Sequence, residues 1–225
     1  MKNMIEVVVE WTTMNRNKIT ARLLCLALAA LCAAAPAVAA AQTISAQVDA
    51  LEPYIGNFPP NIHSKDEMAK VSAMYDAALS SVNGALETKH GDTVLLFERG
   101  RLQAMGHNMD RPKAFEGADA DLQAVIKAEP RNAAALSELG RLYVNSYPQL
   151  APRAEQLFNL AQAAQGPTPL EDAQIGLFFA YYYQGQMDKA LTQSEFLVAH
   201  WPGKPEYQRL HDLVIEVKNR AAKKG

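Results

Sequence analysis

Between Asn132 and Pro167 the chain places Leu136, Leu139, Gly140 and Tyr143, and after a break Ala154, Phe158, Ala161 and Gly166-Pro167. The first four recur at intervals of three and four, one face of an α-helix; Ala154, Phe158 and Ala161 do the same on a second helix. Gly140 and the alanines let two helices approach closely, while Leu, Tyr and Phe fill the space around them. The Gly-Pro pair stops the second helix. A pair of this kind cannot bury its own apolar face, so it has to stack on others.

Related patterns flank it. Leu102, Met105, Gly106 and Met109, then Ala118, Leu122 and Pro130, precede it; Leu177, Phe178 and Tyr181, a turn at Gly185, then Ala190, Leu197 and Pro202 follow. Leu102 and Leu136 are 34 residues apart. This order and period resemble the tetratricopeptide repeat (TPR), a helix–turn–helix unit that stacks into a solenoid. The resemblance implies an all-α fold: a TPR-like helical solenoid of about three repeats with N- and C-terminal capping helices. The chain departs from the pattern in three places. The turn around Tyr147-Pro148 is longer, Phe178 stands where a small residue is usual, and Ser194 stands where an aromatic is usual.

The expected organisation is a signal peptide over 1–41, a short helix and linker over 42–63 and an N-terminal capping helix over 64–91. Repeats follow over 92–130, 131–168 and 169–203, with a C-terminal capping helix over 204–225. The signal reading rests on basic Arg16, Lys18 and Arg22, an apolar run from Leu23 to Ala35, and small residues from Ala37 to Ala41. Glu6 and Glu10 suit a signal start badly, which makes Met14 a candidate initiator. The apolar run is shorter than the roughly 20 residues of a spanning helix. The leucines before Cys25 and Cys32 suit a lipid-attachment site poorly. The expectation is therefore a periplasmic or secreted protein, with no integral membrane span in its mature form.

Local signals mark the helix starts. Ser64 and Glu67 have capping-box spacing, followed by a stripe of Met68, Val71, Met74, Ala78, Val82 and Leu86. Asp92 can cap the next helix, and Thr168, Pro169 and Glu171 together mark another start. Pro53, Gly56, Pro59 and Pro60 argue for a linker after a short helix carrying Ile44, Val48 and Leu51. A last helix from Pro205 carries Leu210, Leu213, Val214 and Val217.

Composition narrows the function classes. Both cysteines fall in the signal, so the mature chain has no thiol for a disulfide or metal site. Removing 1–41 leaves 18 basic against 22 acidic residues, a net charge of −4. That balance carries no electrostatic footprint for nucleic acid. The five histidines show no metal-ligand spacing, and neither a phosphate loop nor a nucleophile elbow is present. These features point away from an enzyme and from a bound cofactor or metal, toward a protein–protein interaction module. The reading is an adaptor that holds a peptide segment of a cell-envelope partner; the alternative is a regulatory or chaperone-like helical subunit of an envelope enzyme or assembly complex.

The TPR resemblance also implies which residues line the concave groove. They are Gln103, His107 and Arg111 in the first repeat, and Ser137, Arg141, Val144 and Asn145 in the second. The third supplies Asp172, Ile175, Phe179, Tyr182 and Tyr183. Phe179 and Tyr182 form an aromatic patch beside Arg141 and Asn145 in this reading, suited to a peptide with apolar side chains and a carboxylate; packing on the C-terminal helix is the other use for them.

Overall fold

Side-chain caps open three of the helices, two of them, at Ser64 and Asp92, where the sequence places them. Ser64 Oγ accepts from Glu67 N at 3.1 Å, Asp92 Oδ1 from Val94 N and Leu95 N at 3.0 and 3.1 Å, and Asn132 Oδ1 from Ala135 N at 3.0 Å. Each pairs an orphan amide of a first turn. Glu67 reaches back to His63 N at 2.7 Å, one residue before the cap. The computed structural model describes residues 35–223. The expected signal segment, with Cys25, Cys32 and the candidate start Met14, lies outside these apart from its last residues.

The described residues are all-helical, without a strand. In order they form α1 (Ala35–Ile55), α2 (Lys65–Thr88), α3 (Thr93–His107), α4 (Ala114–Ala128), α5 (Ala133–Ser146), α6 (Ala151–Gln165), α7 (Glu171–Tyr183), α8 (Met187–His200) and α9 (Pro205–Ala222). A 3-10 turn, Pro148–Leu150, sits between α5 and α6. Helices pack on their neighbours in sequence, the arrangement of a helical repeat. The chain divides between Ala124 and Val125 into two compact units.

In the first unit α1, α2 and α3 pack against one another. Helix α1 is longer than the short helix expected after residue 42. It begins at Ala35 and runs through Pro53 to Ile55. Pro53 forgoes one backbone bond, but it lies in the last turn, and the end of the helix is held from outside. Asn61 N donates to Tyr54 O at 2.7 Å, and Asn108 Nδ2 to Ile55 O at 2.8 Å. Ile44, Val48, Leu51 and Ile55 form its buried stripe. On α2 the core positions are Val71, Tyr75, Ala78, Val82 and Leu86. Met68, placed in the stripe by the sequence, is 40% exposed, and Met74 lies at the edge.

The repeat register is set by close approach. Gly100 is the eighth residue of α3, and a Cβ there would lie 2.8 Å from Leu122 of α4. Gly140 is the eighth residue of α5, and its Cβ would lie 2.8 Å from Phe158 of α6. The counterpart of Gly140 is thus Gly100, whereas Gly106 approaches Tyr75 of α2. Leu102 and Leu136, 34 residues apart, are the tenth residue of α3 and the fourth of α5. Helices α3, α5 and α7 start at Thr93, Ala133 and Glu171, intervals of 40 and 38 residues.

In the second unit α5 to α9 pack in succession, and α7 also meets α5. The eighth residues of α7 and α8 are Phe178 and Ser194. This pair reverses the sizes of Gly140 and Phe158, and both residues are fully buried. The two departures from the TPR pattern are thus both core positions, on neighbouring helices. Thr168 does not cap α7. Its start is held from α6, where Gln162 Oε1 accepts from Leu170 N at 2.8 Å and Gln162 Nε2 donates to Gly166 O and Thr168 O at 2.9 and 3.0 Å.

Candidate functional site

The three groove residues expected in the first unit do not converge. Gln103 donates to Asp121 of α4 at 3.0 Å and overlies Gly117. Arg111 turns the other way, toward α2, with its guanidinium 5.2 Å from the Tyr75 ring centre and 3.3 Å from Asp76. His107 meets the Phe115 ring edge-on at 5.5 Å. Helical register from α3 alone could not show that all three side chains serve contacts inside the unit.

The second unit brings its residues together better. Ser137, Arg141, Val144 and Asn145 lie along one side of α5; Asp172, Ile175, Phe179 and Tyr183 are spaced three, four and four apart along one side of α7. Val144, Ile175 and Phe179 are buried. Asn145 and Asp172 are exposed, while Arg141, Tyr182 and Tyr183 are partly so. The Ser137 hydroxyl is buried without a hydrogen-bond partner. The usable surface is therefore polar and tyrosine-rich around an apolar middle that is already covered.

The aromatic run of α7 stacks along its own helix. Phe178 stacks on Tyr182 with centres 6.1 Å apart and Phe179 on Tyr183 at 6.3 Å, and Phe178 meets Phe179 edge-on at 5.1 Å. Burial pushes the hydroxyls of Tyr182 and Tyr183 up from their ordinary value, so both remain donors at neutral pH. Arg220 of α9 lies near enough to Tyr182 to pull its hydroxyl back down. Tyr182 thus belongs partly to the α9 side, and Tyr183, partly exposed, ends the stripe that carries Phe179.

No family model matches the chain, and no curated protein is significantly similar to it. The site must be read from its own chemistry.

Its charge differs from the expectation of a cationic anchor for a carboxylate. Arg141 Nη2 donates to both oxygens of Glu138, one helical turn earlier, at 2.6 and 2.7 Å. Crowding by the surrounding chain pushes the Asp172 carboxyl up, with Arg141 opposing and Glu171 and Glu138 adding to the rise. Its outer edge nevertheless reaches solvent. Beside it Glu171 accepts hydrogen bonds from Lys204 and from the Tyr207 hydroxyl, tying the start of α9 to that of α7. Glu138, Glu171, Lys204 and Tyr207 are partners that register alone missed. Only Glu138 had a local signal, its spacing of three from Arg141.

The described residues contain no group of three or more side chains able to hold a metal ion. No described helix is long and apolar enough to cross a membrane.

Proposed function

We propose that this chain is a polypeptide-binding scaffold of the TPR kind, exported to the cell envelope, which holds a segment of an envelope protein on the α5–α7 face of its second unit. The observation that carries this reading is the pairing of two residue stripes on helices in contact. Arg141 and Asn145 on α5, and Asp172 and Tyr183 on α7, leave polar and aromatic groups accessible around a buried apolar centre. Tyrosine suits such a surface because its ring offers contact area at small entropic cost and its hydroxyl can meet a backbone carbonyl. Phe179 supports the face from beneath.

A photo-crosslinking phenylalanine analogue at Tyr183, with a control at Leu160 on α6, tests the reading. Leu160 is 54% exposed. The expected outcome is one discrete crosslinked polypeptide from envelope fractions at position 183 and none at 160. Equal yields at both positions would remove the α5–α7 face from consideration.

A further inference from the structure

The least ordinary electrostatics lie in the first unit. Arg101 of α3 is buried, and its guanidinium meets three carboxylates: Glu98 at 3.0 Å, Asp49 at 2.9 Å and Glu52 at 3.3 Å. Asp49 and Glu52 belong to α1, so Arg101 ties that helix to α3 across 52 and 49 residues of chain. The guanidinium also lies 5.9 Å from the Phe97 ring centre. Glu98 is buried with it, and Ser45 of α1 offers Glu98 a hydrogen bond. The groups facing Glu98 are therefore Ser45, Asp49 and Glu52 from α1 and Arg101 from its own helix. Helix α2, packed on both, buries apolar Val71, Ala78, Val82 and Leu86 and the Tyr75 ring, while its Asp76 pairs with Arg111.

We propose that α1 is a pH-graded latch: ionisation of Glu98, beneath α1 where three carboxylates share the Arg101 guanidinium, loosens the hold of α1 on α2 and α3 as pH rises. When all three carboxylates are charged, one cation faces three anions, of which Glu98 is buried away from water while Asp49 reaches solvent. Protonating Glu98 removes the buried member and leaves Arg101 to the two carboxylates of α1. The apolar stripe Ile44, Val48, Leu51 and Ile55 keeps α1 docked at either extreme. The latch grades how often α1 opens; it does not release the helix outright.

The direction follows from linkage. Burial raises the Glu98 carboxyl above its ordinary 4.5, against the lowering effects of Arg101 and Ser45. An acid raised in the folded state holds its proton longer there than in the opened state. The docked form is therefore favoured fully below pH 4.5, and the advantage is lost as pH rises through the folded value. Within that window the opening constant of α1 grows by up to about tenfold per pH unit, and it levels off above it.

Amide hydrogen exchange over residues 43–55, corrected for the intrinsic pH dependence of exchange, reads this constant. The expected result is an opening constant that climbs with pH above 4.5 in the wild type and stays flat in Glu98→Gln. In Ser45→Ala, which removes a hydrogen bond favouring the charged form, the climb extends to higher pH. A wild-type constant independent of pH, or an undiminished climb in Glu98→Gln, overturns the latch. If Glu98→Gln loses its helical circular dichroism, Ser45→Ala decides alone, and an unmoved window is then the overturning result.

Discussion

Phe158 shows how strongly one side chain constrains its surroundings. Its ring lies against both Gly140 of α5 and Gly176 of α7, so that a Cβ at either position would collide with it. The absence of two Cβ atoms lets three helices close on one aromatic ring, and Phe158 is 1% exposed. Gly140→Val should therefore overpack the α5–α6 crossing and cost about 1–3 kcal/mol, read as a lower urea midpoint. Gly176→Val should cost at least as much, and an unchanged midpoint in both would place the ring elsewhere. Glycines with no neighbour within 4 Å of a built Cβ, such as Gly84 on α2, behave oppositely. Gly84→Ala should stabilise by about 0.5–1 kcal/mol through helix propensity alone. Sequence reading identified Gly140 correctly because Phe158 lies in the neighbouring helix of the same pair. It could not identify Gly176, whose partner is set by how one pair meets the next.

Among the elements, α7 depends most on its neighbours. Residues 173–180 are all buried, so α7 has no solvated face through its middle. Its polar middle residue, Gln174, is accommodated by a chain of amides. Gln174 Nε2 donates to Gln162 Oε1 of α6 at 2.7 Å, and Gln193 Nε2 of α8 donates to Gln174 Oε1 at 2.8 Å. Three consecutive helices are thereby held in register by side chains that would be costly to leave unpaired. Gln162→Leu should destabilise by about 1–3 kcal/mol, because it strands the Leu170 amide and the Gln174 side chain together. Exchange at the Leu170 amide should report it first. Adding Gln174→Leu should cost less than the sum of the two single changes, since the second removes a group the first left unpaired; strict additivity would show that the amides do not act as one network. The aromatic run of α7 has the same lesson. Helical spacing could sort Phe178 from Phe179, but both proved buried, and the three tyrosines at the end of the helix, Tyr181 to Tyr183, reach solvent.

For the molecule as a whole, the proposed export and the fold make compatible demands on the same helix. The small residues from Ala37 to Ala41, where the sequence places signal cleavage, fall in the first turns of α1. Cleavage there would leave the buried stripe from Ile44 onward complete. N-terminal sequencing of protein recovered from the envelope should accordingly begin at Ala40 or Gln42, and a start at Met1 or Met14 would remove the export reading. The all-helical class and the caps Ser64 and Asp92 were determined by the sequence itself. Those features depend on contacts three or four residues apart, and a linear chain displays them directly. Tertiary structure alone decided two things: that Gly100 rather than Gly106 matches Gly140, and that Phe179 lies in the core. It also assembled buried Glu98 and Arg101 with Asp49 and Glu52 of α1 into one cluster. Each of these depends on where one helix crosses another, and that geometry is set by the summed packing of distant side chains, which periodicity along a single helix does not encode.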